Sequence, residues 1–129
     1  MARQVRRLSS SVLALAFAGL LVAGCEAPPE KGPLNFSGDP KRGITLIKQY
    51  GCGTCHMIPN IADATGNVGP PLLRVGTRTY IAGFISNSPE NMSLWVQDPQ
   101  KLLPGNAMPR MGVTAQDSRD ITAFLYTLK

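Results

Sequence analysis

Histidine occurs once in the 129 residues, at His56, and cysteine three times, at Cys25, Cys52 and Cys55. So small a stock closes several routes. A zinc site built on Cys52 and Cys55 would need two more ligands, and His56 and Cys25 are the only other histidine and cysteine. The pair also lacks the βαβ setting in which a thioredoxin-like redox couple heads a helix. No segment alternates apolar and polar residues with period two, and no internal repeat is present, so neither a sheet-built fold nor a solenoid is indicated. Acidic residues are few, but the formal charge of +5 is misleading. From Cys25 onward ten Lys and Arg face eight Asp and Glu, a balance of +2. Charge therefore gives no support to nucleic-acid binding, though a local basic patch for an acidic partner fits.

What is present centres on Gly51-Cys-Gly-Thr-Cys-His-Met-Ile-Pro-Asn60. Within it, Cys52-x-x-Cys55-His56 is the attachment signature of c-type haem. Two thiols at this spacing each add to one vinyl group along the porphyrin edge. The next side chain is then carried beneath the ring, where its imidazole ligates iron.

The N-terminus reads as an export segment. Arg3, Arg6 and Arg7 lead into the uncharged apolar run from Val12 to Ala23, too short for a comfortable membrane span. The run ends in Val22-Ala23-Gly24-Cys25, which resembles the bacterial lipoprotein box, with Cys25 as the acylated residue. An unpaired thiol in an oxidising compartment is a liability that lipidation removes, and no disulfide is then left to propose. The expected organisation is a lipoprotein signal peptide over residues 1–24, an acylated N-terminus and Pro/Gly-rich tether over 25–38, and a single domain over 39–129. At about 3 Å per residue, the tether reaches on the order of 40 Å.

Within the domain, Asp39-Pro40 predicts a helix running to about Tyr50, since an N-cap acceptor before proline is a start signal. Residues 57–78 read as loop. A short helix is expected over Thr79 to Ser86. A further helix starts at Ser88-Pro89, carries Met92, Leu94, Trp95 and Val96, and stops before Pro99. Pro104, Gly105 and Pro109 keep Gln100 to Val113 irregular. The last helix, capped by Thr114, runs to the end with Ile121, Phe124, Leu125 and Leu128 on one face. Loops so long need something besides side chains to fill the core, and haem is large enough to do so.

A second histidine ligand is excluded by composition. Methionine is the next candidate, because a neutral thioether favours ferrous iron and raises the potential. Met57 follows His56 and cannot wrap to the opposite face, and Met92 lies on a predicted helix. Met108 and Met111 remain. Met108 is favoured by its loop, Leu103-Pro-Gly-Asn-Ala-Met-Pro109, whose prolines and glycine suit an extended path across a haem face; Met111 has packing at the loop exit as its alternative.

From Gly38 to Lys129 the chain resembles class I cytochrome c, on Cys52-x-x-Cys-His56, Gly69-Pro-Pro-Leu72 and Pro104-Gly-Asn-Ala-Met-Pro109. Val68-Gly-Pro-Pro-Leu72, Val75-Gly-Thr-Arg78 and Ser88-Pro-Glu-Asn-Met-Ser-Leu-Trp-Val-Gln-Asp-Pro99 are similar to one subgroup. That subgroup is the cytochrome c domain fused to subunit II of cytochrome-c-containing haem-copper oxidases. The resemblance implies an all-α fold of three to five short helices and long loops around one covalent haem c. It implies thioethers at Cys52 and Cys55, His56 as proximal ligand and Met108 as distal ligand. It further implies a Pro70 carbonyl accepting the imidazole N–H, Arg78 near a propionate, and Trp95 on the methionine side, with plain core packing as the alternative for Trp95. Gly43 and Phe124 would mark the crossing of first and last helices.

The expected function is a membrane-anchored carrier of single electrons in a respiratory chain, on the periplasmic side of the cell envelope, and not an enzyme. Its partners would be a haem-copper terminal oxidase and an upstream quinol-oxidising complex or other donor, with no small-molecule substrate. The chain has no Cys/His set for a dinuclear copper centre, so it reads as the cytochrome module alone. A haem-bearing structural subunit of a larger redox complex is the alternative. A gas sensor or peroxide-reducing enzyme is disfavoured because the lone histidine is already used.

Overall fold

The computed structural model describes residues 36–129. The expected signal peptide, Cys25 and most of the tether lie outside the described residues. Among the described residues four α-helices carry the fold: α1 (Pro40–Gln49), α2 (Pro89–Gln97), α3 (Pro99–Leu102) and α4 (Ala115–Leu125). Each begins where its sequence supplies an acceptor for the unpaired N–H groups of a first turn. The Asp39 carboxylate accepts from the Lys41 N–H at 2.9 Å, Ser88 Oγ from Asn91 at 3.2 Å, and Thr114 Oγ1 from Asp117 at 3.1 Å. Proline at the first helical position of α1, α2 and α3 sacrifices no hydrogen bond. Among the described residues no helix is long and apolar enough to cross a membrane.

Three expectations are corrected. Thr79 to Ser86 is not helical: β1 (Tyr80–Ile81) and β2 (Ile85–Ser86) pair antiparallel, with Ile81 opposite Ile85. Ala82 and Gly83 both have positive φ, 50° and 81°, which closes a tight hairpin turn and prevents a helix. Gln100 to Val113 is not wholly irregular, because Asp98 ends α2 and its carboxylate caps the Lys101 N–H at 3.1 Å, starting α3. The last helix also stops short of the terminus. Beyond Tyr126 the bonds tighten to three-residue spacing, and the Leu128 carbonyl turns aside to accept from the Gly76 N–H at 3.1 Å.

The core joins Leu46 and Ile47 of α1, Met92 and Val96 of α2, and Ile121, Phe124 and Leu125 of α4. Where α1 meets α4 the backbones nearly touch. A Cβ at Gly43 would collide with the Asp120 carbonyl and lie 3.0 Å from the Phe124 Cβ. Only glycine fits so close an approach. Just before α1, at Gly38, a side chain would likewise meet the Arg119 backbone and the Ala123 Cβ.

A charged network seals this crossing. Arg42 of α1 bridges Asp117, at 2.5 Å, and Asp120 of α4. The Tyr50 hydroxyl donates to Asp117 at 2.8 Å, and the Asp39 N–H donates to Asp120 at 2.8 Å. The Tyr50 hydroxyl, with Thr114 and Arg42, holds the Asp117 carboxyl below the ordinary carboxylate range. Burial pushes Asp120 up, but the Asp39 N–H and Arg42 outweigh it, and that carboxyl too lies low. Two small hydroxyls, Ser93 and Ser118, bond at 2.8 Å where α2 lies on α4.

Because both folded-state pKa values are depressed, the stability they confer is complete above the unfolded carboxylate value of about 3.9 and is lost as pH falls through the folded values. Acid denaturation followed by far-ultraviolet circular dichroism is therefore expected to begin only below about pH 4. In Arg42→Leu, which leaves the carboxylates without their cation, it begins at higher pH. Gly43→Ala is expected to destabilise the domain by at least about 1–3 kcal/mol, the cost of overpacking, measured by denaturant unfolding.

Candidate haem-binding site

The attachment segment begins where α1 is forced to end. Tyr50 caps the C-terminus of α1, and Gly51 takes a left-handed conformation, φ 68°, as a helix-terminating glycine does. The chain then winds through a single tight turn over Cys52–Thr54. Thr54 N–H and Oγ1 both donate to the Gly51 carbonyl, at 3.0 and 2.7 Å, and the His56 N–H donates to the Cys52 carbonyl at 3.0 Å. Cys52 and Cys55 are thereby held one turn apart as half-buried free thiols. Burial pushes the Cys52 thiol up.

The segment after it folds back across His56. The Gly66 N–H donates to Gly53 at 3.0 Å and the Gly69 N–H to Cys55 at 2.8 Å. A Cβ at Gly69 would lie 2.7 Å from His56 Nδ1, so the backbone rests directly on the imidazole. There Nδ1 stands 2.8 Å from the Pro70 carbonyl. A carbonyl only accepts, so Nδ1 carries the proton and Nε2 keeps its lone pair.

Arg78 braces the same loop. Its Nη2 donates to the carbonyls of Pro71 and of Leu73, the latter at 2.9 Å. Asn87, which the sequence did not single out, ties the loop to the C-terminus: Nδ2 donates to Val75 and Arg78, both at 2.8 Å, and Oδ1 accepts from the Tyr126 hydroxyl at 2.7 Å. Burial, with a smaller push from Glu90, raises the Tyr126 phenol to about 12, so it stays a donor at any physiological pH.

The methionines separate clearly. Met92 is buried in the core, whereas Met57 and Met111 are exposed. Met108 is half-buried, on the loop after α3. Its N–H donates to Asn106 Oδ1 at 2.8 Å and its carbonyl accepts from Gln100 Nε2 at 2.7 Å. Gln100 and Asn106 were not legible as site residues; two amide side chains flanking a Leu-Pro-Gly turn were the available signal. Trp95 of α2 is half-buried and packs against the core. Cys52, Cys55, His56 and Pro70 thus form one bonded unit, and Met108 belongs to another. Among the described residues no hydrogen bond joins the two.

The donor set fits a c-type haem. Two free thiols one turn apart, an imidazole whose second nitrogen is pinned as a donor, and thioether sulfur elsewhere are what covalent attachment and axial ligation require. The apolar surface fits as well: Val68, Leu73, Tyr80 and Phe84 are exposed around the proximal loop and hairpin, where a macrocycle would need apolar company. Among the described residues no three His, Cys, Asp or Glu side chains cluster as a metal site of another kind.

Comparison with known proteins agrees. The family model described as cytochrome c matches residues 40–129. The chain is 33% identical over 89 residues to cytochrome c oxidase subunit 2 of Alkalihalophilus pseudofirmus, covering 68% of this chain and 25% of that protein. It is likewise 33% identical over 88 residues to cytochrome c oxidase subunit 2 of Bacillus subtilis, covering 67% and 25%. It spans about a quarter of the length of these subunits. With cytochrome c of Euglena viridis it shares 31% identity over 105 residues, 71% of this chain and 99% of that one. Among solved structures it resembles cytochrome c2 of Rhodobacter sphaeroides, with TM-score 0.51 and 25% identity over 71% of this chain and 97% of the other. Cytochrome c2 of Paracoccus denitrificans has the same fold, with TM-score 0.53 and 23% identity over 70% and 96%. The expected all-α class I fold is therefore the observed one, and the chain belongs to the cytochrome c family, whose cofactor is covalent haem c.

Proposed function

We propose that this protein is a mono-haem electron carrier of a respiratory chain, held at the periplasmic face of a membrane by a lipid on Cys25. It would pass single electrons from a quinol-oxidising complex or other donor to a haem-copper terminal oxidase. The observation that carries the haem reading is the 2.8 Å contact of His56 Nδ1 with the Pro70 carbonyl, directly after two free thiols. Haem c, when bound, supplies a one-electron iron couple.

The chain's own residues do the rest. The Cys52 and Cys55 thiols would hold the haem as thioethers, through one C–S bond each. His56 Nε2 would offer its lone pair to the iron, while the Pro70 carbonyl holds the ring's orientation and would keep it basic. Met108 would supply a neutral thioether as the second protein ligand. With His56 and Met108 both retained through a one-electron change, little of the chain would rearrange on transfer. Arg78 commits only Nη2 to the loop carbonyls, leaving Nε and Nη1 hydrogens for a propionate.

Similarity to oxidase subunit 2 also favours a second reading, a haem-bearing subunit fixed within an oxidase. Gentle solubilisation and capture through a tag at Lys129 separates the two. Co-purifying haem a or b with oxidase activity identifies a bound subunit. A cytochrome recovered alone, yet reduced and oxidised by the membranes, identifies a tethered shuttle.

Met108→Ala is expected to abolish the weak near-infrared band of ferric iron–methionine ligation. The band intact in Met108→Ala and absent in Met111→Ala would overturn the assignment. Cys25→Ser is expected to release the protein from membranes in soluble form; retention on the membrane with the signal cleaved would refute lipid anchoring.

A further inference from the structure

We propose that Gln100 and Asn106 are positioning residues that clamp the Met108 backbone and so set how readily an exogenous ligand displaces its sulfur. The inference rests on Met108 being the distal ligand. Both side-chain amides are fully used. Gln100 Nε2 donates to the Asn106 carbonyl at 2.9 Å and the Met108 carbonyl at 2.7 Å, while Oε1 accepts from the Gly105 N–H at 3.1 Å. Asn106 Nδ2 donates to the Pro99 and Leu103 carbonyls, at 3.0 and 2.7 Å, while Oδ1 accepts from the Met108 N–H at 2.8 Å. An amide has two donor hydrogens and one acceptor oxygen, and each of these is matched to a partner of the opposite kind. Rotating either amide by half a turn would set N–H against N–H and oxygen against carbonyl, so the arrangement is uniquely specified.

The geometry makes this a clamp on one residue. Met108 is bonded through both its N–H and its carbonyl, and Pro109 follows, with φ fixed and no N–H to offer. The bonds lead back to α3, because Pro99 and Gln100 open that helix and Pro99 is buried. The short helix thus serves as the platform on which the loop is hung. The turn between them, Pro104-Gly105, is made possible by the left-handed φ of 79° at Gly105. None of the six bonds involves the Met108 side chain, which keeps its sulfur available.

A loop held this way opens rarely, and an added ligand reaches the iron only when it opens. Its apparent affinity is lowered by the population of the closed loop. Removing one amide removes up to three bonds and raises the open fraction.

The test is imidazole titration of the ferric, haem-loaded full chain, followed in the Soret region and by loss of the near-infrared methionine band. Gln100→Ala and Asn106→Ala are each expected to bind imidazole about tenfold more tightly than the parent. Gln100→Glu, which keeps the length and the acceptor for Gly105 but loses both donors, is expected to follow Gln100→Ala and serves where the alanine variant does not accumulate. Gly43→Ala, or Arg42→Leu in its place, is expected to lower the unfolding midpoint with imidazole affinity unchanged. Affinities within twofold of the parent in the Gln100 and Asn106 variants overturn the clamp, as does an equal tightening in the helix-crossing control. Persistence of the methionine band in Met108→Ala instead overturns the ligand reading itself, so the two failures are told apart.

Discussion

The His56 side of the site depends on how closely α1 approaches α4. At Gly43 the two backbones meet with no room for a methyl group, and the contact is reinforced by Arg42 spanning two carboxylates of α4. That contact fixes the axis of α1. The axis fixes where Tyr50 ends the helix and Gly51 turns left-handed, and these fix the turn bearing Cys52 and Cys55. A short helix with little intrinsic stability thus gains, from tertiary packing, the rigidity that a covalent attachment point needs. The depressed carboxyls of Asp117 and Asp120 show that electrostatics serve the same crossing as the apolar core.

The two sides of the site are built by different means. On the His56 side the chain uses glycine: Gly53 and Gly66 let two passes of the chain lie on one another, Gly69 lets the backbone rest on the imidazole, and main-chain bonds hold them. On the Met108 side it uses side-chain amides and prolines over a four-residue helix. Backbone stacking gives a stiff mount for the imidazole, whereas the amide clamp grips a loop at a few points.

Much of this was legible because helix starts are local. Asp39-Pro40, Ser88-Pro89 and Thr114 each announce a cap within three residues, and all three helices begin there. The haem motif is local too, and Pro70 followed from resemblance. What escaped depends on contacts remote in sequence or on conformations that the residue type does not advertise. The hairpin needs Ala82, not only Gly83, at positive φ, and two-residue strands are too short to show alternation. The bonds from Arg42 to Asp117 and Asp120 span 75 and 78 positions, and the Tyr126–Asn87 bond spans 39. No pattern along the chain pairs such residues before the helices are packed. Gln100 gave no sign of its role because its partners are main-chain groups, which every residue has.

The entry of the chain into the domain has a mechanical consequence. Gly38 is wedged against Arg119 and Ala123, and the Asp39 N–H is tied to Asp120, so the polypeptide is moored to α4 before α1 begins. The haem cysteines follow the other end of α1, about 15 Å along its axis at 1.5 Å per residue. Tension drawn on the N-terminal side is therefore borne by α4 and the start of α1, in shear across a close-packed contact. Cys52 and Cys55 lie beyond the far end of α1 from that mooring, so a pull applied at Gly38 meets α4 before it meets their turn.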